Sequence, residues 1–398
     1  LKRCILNRRI RMKWIKNILD NMRPSFEEGG KLYAFHSLFD AMDTFFLTPE
    51  TTTTSGCHIR DAVDNKRTMF TVVIALIPAL LFGMYNIGYQ HYLSIGEVHS
   101  YCENFWGNFW YGFLQVLPMI LVSYIVGLGI ECIFAQVRKH EVSEGYFVTG
   151  MLIPLICPPD VPLWQLAIAV AFAVIIGKEV FGGTGYNFLN PALVARAFLF
   201  FSYPSKMSGD SVWIAEQGDA ISGATPLGEM LAGASAPHAS MLDMFLGFVP
   251  GSVGETSVVA ILLGAILLLV TGVASWRIML SVFAGGAAMG VVFNLIGATP
   301  YMQMPFYEHF LIGGFMFGAV FMATDPVTAA QTNIGKYIYG ALIGIMAVLI
   351  RVVNPAYPEG MMLSILLLNV FAPLIDYYVV EANIKRRTKR AKVLTKNN

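Results

Sequence analysis

The chain has 398 residues, of which 56% are apolar and 13% charged, and its mean hydropathy is +0.59. Soluble domains carry about 25% charged residues, so this composition excludes an ordinary soluble enzyme and points to a protein that crosses the membrane many times. The formal net charge of +1 conceals an asymmetry, because the bases cluster at the two ends.

Residues 1–67 mix polar, basic and aromatic residues. No apolar run follows the bases between Lys2 and Lys16, so this stretch does not read as a cleaved signal peptide. Amphipathic helices are expected between Asn17 and Leu47, broken near Pro24 and Gly29-Gly30, on the membrane surface or on a partner. Ten apolar segments follow, near 69–89, 110–136, 146–157, 163–181, 189–203, 257–274, 277–297, 309–323, 335–351 and 360–380. The pattern predicts an all-α membrane protein of about ten transmembrane helices in two five-helix halves, 68–203 and 257–380. A polar loop, 204–256, joins the halves, and a basic tail, 381–398, ends the chain.

A span needs about 20 apolar residues. The third segment contains Pro154 and runs into Pro158-Pro159. The fifth follows Gly182-Gly183-Thr184-Gly185 and contains Pro191 and Arg196. Both read as broken helices, whose freed backbone groups line a buried site. Asn190-Pro191 in the first half echoes Asp325-Pro326 in the second, and Glu144-Gly145 echoes Glu359-Gly360. Such echoes leave an inverted five-plus-five repeat open. The basic ends are expected in the cytoplasm. Residues 204–256 hold only Lys206 against six acids, Glu255 among them, and are expected outside.

The five cysteines (Cys4, Cys57, Cys102, Cys132, Cys157) form no C-x-x-C pair. No disulfide framework, zinc site or four-cysteine cluster is therefore expected. Eight charges fall in or beside apolar segments: Glu144, Lys178, Glu179, Arg196, Asp325, Arg351, Glu359 and Asp376. Such groups are costly in lipid and face a cavity or a partner; Arg351 and Glu359 are candidates to pair with each other. Glu144, Asp325 and Asp376 are hard oxygen ligands suited to an ion path. Asn187 and Asn190 offer both donor and acceptor to a buried ligand. Ser222-Gly223-Ala224-Thr225 lies in the outer loop, where small residues permit close approach and the hydroxyls can accept a covalent group.

Longer stretches carry a resemblance. They are Arg138-Lys139-His140-Glu141-Val142-Ser143-Glu144-Gly145, the run from Lys178 to Ala192, Phe321-Met322-Ala323-Thr324-Asp325-Pro326, and the run from Arg351 to Met362. With the Ser-Gly-Ala-Thr stretch, they resemble the B-subunit family of the bacterial sodium-pumping NADH:quinone oxidoreductase, which is related to the D subunit of the Rnf complex. The resemblance implies FMN in phosphoester linkage to Thr225, made by a flavin transferase. It implies a second, non-covalent riboflavin, for which Asn187, Asn190, Pro191 and Asp325 are candidates. It implies a quinone site, with ubiquinone or menaquinone as substrate. Gly127 and Glu131 match that pattern, although Leu128 stands where a second glycine is expected, and Phe198 and Phe200 are candidate apolar walls. It also implies outward Na+ transport and a place in the bacterial inner membrane. The expected partners are a flavin-bearing outer subunit and an NADH-oxidising flavin/iron–sulfur subunit, with no nucleic acid. The chain has no Gly-x-Gly-x-x-Gly after a strand, so NADH oxidation falls to the partner. The alternative within the same superfamily is the D subunit of an Rnf-type ferredoxin:NAD oxidoreductase, which shares the flavin motif; a channel-like solute transporter would explain the broken helices and leave the attachment motif unexplained.

Overall fold

The computed structural model describes residues 16–26, positions 30, 33, 36 and 39, and 53–59, 65–97, 100–101, 103–138, 142, 145–210, 212–216, 223–234, 236–354 and 359–396. Residues 16–26 form a helix, α1; most of the amphipathic region expected over 17–47 lies outside the described residues. The first set comprises α2 (Asn65–Ile95), α3 (Phe105–Arg138), α4 (Gly145–Ile156), α5 (Leu163–Gly177) and α6 (Pro191–Ser202). Two short helices follow, α7 (Pro226–Leu231) and α8 (Met241–Leu246). The second set begins with α9 (Val258–Thr271) and α10 (Trp276–Ile296). The short α11 (Pro300–Gln303), α12 (Glu308–Leu311) and α13 (Phe315–Phe317) come next, then α14 (Asn333–Val353) and α15 (Met361–Lys396). Among the described residues the regular structure is all helical, and six helices are long and apolar enough to cross a membrane.

Each of the ten expected apolar segments is found as helix. The third and fifth are short, as Pro154 and the glycines before Pro191 require. Both α4 and α6 have 12 residues, about 18 Å at 1.5 Å per residue, against a hydrocarbon core of about 30 Å. The eighth is broken as well: the chain turns at Gly313 with φ +61°, and Phe315–Phe317 runs into a single π turn, Gly318–Met322. The basic tail is no separate unit. α15 continues through it for 36 residues in all, with Glu381 and Lys385 paired at 2.7 Å one turn apart.

One cap chemistry starts six of these helices. A side-chain oxygen of Asn190, Thr225, Ser240, Ser257, Thr299 or Thr332 accepts from a backbone N–H two or three residues on, and proline follows Asn190, Thr225 and Thr299. Two helix pairings recur, α3 on α5 and α5 on α6 in the first set and α10 on α14 and α14 on α15 in the second, whereas the extensive packing of α2 on α3 in the first set has no counterpart between α9 and α10. Across the sets α2 packs on α9. The close approach of α10 and α14 needs glycine, because a Cβ on Gly285 or Gly344 would enter the facing backbone at Ala341 or Val282. A single apolar core runs through both sets. A smaller one joins Leu227, Met230, Met244 and Val249 of the inter-half loop to Tyr301, Met304 and Ile312 of the second set. The loop is thus folded against the second half.

Tyr101, in the turn before α3, donates to Asp243 Oδ1 at 2.6 Å, and Ser240 donates to Oδ2 at 2.7 Å. The Tyr101 bond chiefly holds the Asp243 carboxyl below its ordinary range; partial burial opposes the shift and Ser240 supports it. A depressed carboxyl stabilises the fold above its unfolded pKa, roughly 3.9, and that contribution is lost as pH falls through the lower folded value. Hydrogen exchange in α8 should therefore be constant from about pH 8 to pH 5 and rise below about pH 4, relative to intrinsic rates. Tyr101→Phe should weaken that step.

Candidate functional site

Thr225 caps α7, its Oγ1 accepting from Gly228 N at 3.1 Å. It is half-buried, with Gly223 and Ala224 leading into it; Ser222 lies outside the described residues. Thr225 lines a cavity of about 400 Å³, within the roughly 300–1,000 Å³ usual for small-molecule and cofactor sites. Phe200, Trp213, Leu227, Val249 and Ile312 form its apolar and aromatic wall. Arg196, Glu255 and Glu359 form its charged side.

That charged side is built from the breaks in the helices. The end of α4 leaves the carbonyls of Leu155, Ile156 and Cys157 without helical partners. Gly254 N takes the first at 2.7 Å, Arg196 Nη1 the second, and Val253 N the third at 3.3 Å. The same two amides hold the turn that presents Glu255. Arg196 Nη1 also donates to Ser252 Oγ at 3.3 Å and to Glu255 Oε2 at 3.4 Å, while Nη2 donates to Glu359 Oε1. Arg196 is 2% exposed and Glu255 7%, so one guanidinium joins both halves and the loop between them out of water. Glu255 Oε1, Thr256 Oγ1 and Glu359 Oε2 are buried without a protein partner, and all three residues line the cavity. An apolar, aromatic space with a few unfilled polar atoms beside a hydroxyl suits a ring-bearing cofactor tethered at Thr225.

The second group converges too. Asn187, Asn190, Pro191 and Asp325 all line one cleft, together with Lys178 and Phe321. The echoed Asx-Pro pairs meet there, with Asn190 Nδ2 donating to Asp325 Oδ2 at 3.4 Å. Asn187 is engaged locally, accepting from Gly185 N at 3.3 Å and donating to Leu189 O at 3.0 Å. Asp325 accepts from Val327 N at 3.1 Å and Thr328 Oγ1 at 3.0 Å. The donor set suits a flavin's polar edge, but the cleft holds only about 70 Å³, well short of the roughly 300 Å³ at which ligand sites begin.

The quinone candidates divide. Gly127 is the seat of the Tyr146 ring, which leaves no room for a Cβ. Glu131, 3% exposed, is ion-paired with Lys178, itself 2% exposed. Phe198 stacks on Phe172 of α5 at 4.6 Å, and Phe200 faces the Thr225 cavity. Of the ion-path candidates, Glu144 lies outside the described residues. Asp376 caps the turn into α14, accepting from Gln331 N at 2.6 Å, Thr332 N at 3.0 Å and Thr332 Oγ1 at 2.6 Å.

The expected Arg351–Glu359 pair does not form through the carboxylate. Glu359 gives its carboxylate to Arg196, and Arg351 donates instead to two carbonyls, His309 O at 2.6 Å and Glu359 O at 3.3 Å. The break at Gly313 ends α12 and frees the first of these. The charge pattern places Glu255 among the acids of an outer loop; its burial and its bond to Arg196 place it in the site. Its signal in the sequence is Gly254-Glu255-Thr256-Ser257 directly ahead of the apolar run from Val258.

Six helices long and apolar enough to cross a membrane, with shorter broken helices around buried polar clefts, define a polytopic membrane protein. The chain belongs to the NQR2, RnfD, RnfE family, whose model matches residues 52–385. It is 51% identical over 398 residues to the B subunit of the Na(+)-translocating NADH-quinone reductase of Chromohalobacter salexigens, covering 94% of this chain and 96% of the relative. The corresponding B subunits of Ectopseudomonas mendocina and Stutzerimonas stutzeri are 50% and 49% identical, each over 94% of this chain and 99% of the relative.

Arg196→Met would leave the buried carboxylate of Glu255 and the partly buried one of Glu359 without their counter-ion. Removing one partner from a buried pair costs about 3–5 kcal/mol. The variant should unfold at a markedly lower temperature in detergent, read by a thiol-reactive dye on buried Cys157.

Proposed function

We propose that this chain is the membrane electron-carrying subunit of a sodium-translocating NADH:quinone oxidoreductase, with FMN esterified through its phosphate to Thr225. The observation that carries the reading is the half-buried Thr225 hydroxyl on an aromatic-walled cavity of about 400 Å³ with unfilled polar atoms. The names of the relatives at 49–51% identity support the sodium and quinone parts of it. FMN, when bound, supplies electron-transfer chemistry. The tether at the phosphate leaves the ring free for the cavity wall to tune. Phe200, Trp213 and Leu227 exclude water from that space, and Arg196 holds the two acids of its charged side in place.

On this reading electrons arrive from a flavin-bearing partner on the outer side and leave toward ubiquinone or menaquinone, coupled to outward Na+ movement. A separate flavin/iron–sulfur subunit oxidises NADH, and a flavin transferase makes the Thr225 bond. The chain sits in the bacterial inner membrane with both termini in the cytoplasm, the inter-half loop facing outward. Asn187, Asn190, Pro191 and Asp325 are the candidates for non-covalent riboflavin, in a cleft that would have to widen to take the ring. The Glu131–Lys178 region is the quinone candidate, and Glu144, Asp325 and Asp376 remain candidates for the ion path.

Thr225→Ala should abolish the acid-stable fluorescent flavin band on a denaturing gel while the protein still assembles. A band that stays fluorescent sinks the attachment. For the ion path, the test is sodium-dependent turnover of Glu144→Gln, Asp325→Asn and Asp376→Asn. At least one should need a higher sodium concentration for half-saturation, and unchanged sodium dependence in all three removes them from the path.

A further inference from the structure

Glu255 and Thr256 are adjacent in sequence and buried, about 7% and 6% exposed; both residues line the Thr225 cavity, and each keeps one buried side-chain oxygen without a protein partner. The two oxygens differ in kind. An ionised carboxylate only accepts, and a threonine hydroxyl can donate. Arg196 is bonded to the other oxygen of Glu255, which fixes the carboxylate and leaves Oε1 over. Leaving such atoms unpaired and buried is unfavourable, and a matched ligand removes that cost. The match required is a planar edge with an N–H beside a carbonyl. The imide edge of an isoalloxazine ring presents C2=O, N3–H and C4=O in a row.

We infer that Glu255 and Thr256 position the flavin ring by its imide edge, Glu255 Oε1 accepting from N3–H and the Thr256 hydroxyl donating to a ring carbonyl. The inference rests on the reading that Thr225 carries FMN. It assigns the two residues a role toward the ring that neither the attachment motif nor the loop's charge suggests. The charged groups on the cavity are Arg196 against Asp210, Glu255 and Glu359, with Arg351 behind Glu359. Burial, opposed by Arg196 and reinforced by Glu359, raises the Glu255 carboxyl to about 7, so the wall is negative overall where Glu255 is ionised, above neutral pH. A carboxylate at N3–H opposes loss of the N3 proton, and a negative wall disfavours electron uptake by the ring.

The test uses the assembled complex, with Glu255→Gln and Thr256→Val compared with wild type. Three readouts are taken: in-gel fluorescence of the chain, the alkaline absorbance transition of its covalent flavin, and the flavin's midpoint potential. Glu255→Gln should keep the fluorescent band. Its alkaline transition should fall by about one pH unit, a tenfold change in the N3 equilibrium. Its potential should rise by up to about 59 mV, a tenfold change for a one-electron couple. Thr256→Val, nearly isosteric, should shift the flavin absorbance bands, and Thr256→Ser should restore them. Fluorescent variants whose transition, potential and bands all match wild type overturn the inference and leave the Thr225 attachment standing. A wild-type chain without fluorescence overturns the attachment and the inference with it. If Glu255→Gln fails to assemble, the Thr256→Val and Thr256→Ser spectra decide alone, unchanged bands overturning the assignment.

Discussion

The buried guanidinium of Arg196 is the constraint on which the rest of the molecule depends. Taking a charge out of water costs several kcal/mol even after relaxation. It is tolerated here because Arg196 meets two carboxylates, a hydroxyl and a carbonyl at once. Those partners come from three places: the end of α4, the turn before α9, and the turn between α14 and α15. The first half, the inter-half loop and the second half are thus tied at one point. The loop cannot swing free without leaving Glu255 unpaired, nor can the turn at Glu359 move without stripping a carboxylate from Arg196.

The same solution appears a second time. Broken helices leave carbonyls that no backbone N–H can reach, and in a membrane these must find partners within the protein. In the first half, Arg196 on α6 takes the carbonyl of Ile156 at the end of α4. In the second half, Arg351 on α14 takes that of His309 in α12. Each half therefore holds one fully buried arginine that satisfies the break in its own set, and Glu359 touches both, by its carboxylate and its backbone.

The sequence showed these features unevenly, for physical reasons. Long apolar runs between polar loops are legible, so all ten segments were locatable, and Pro154 and Pro191 announced two of the breaks. The break at Gly313 was not legible, because the run from Phe310 to Met322 is apolar throughout and glycine permits both a helix and a turn. Asn190 and Asp325 could be paired in advance because each is an Asx followed by proline. Thr225 was visible as a motif, and the Thr-Pro step also marks it as a cap. Glu255 was hidden because counting charges by loop treats every acid between spans as solvated. Spacing along the chain pairs Glu359 with the nearer Arg351 and says nothing about an Arg196 brought in from 163 residues away.

The shortness of α6 gives it a role that a full span could not have. Its N-cap, Asn190, stands in the cleft with Asp325, while Arg196 and Phe200 line the Thr225 cavity. Ten residues separate Asn190 from Phe200, about 15 Å at 1.5 Å per residue. One rigid helix of three turns therefore has each polar site at a different level of its length. α6 is thus a structural element of both sites: its N-cap Asn190 belongs to the cleft, and the guanidinium that holds the cavity's acids is borne on the same helix.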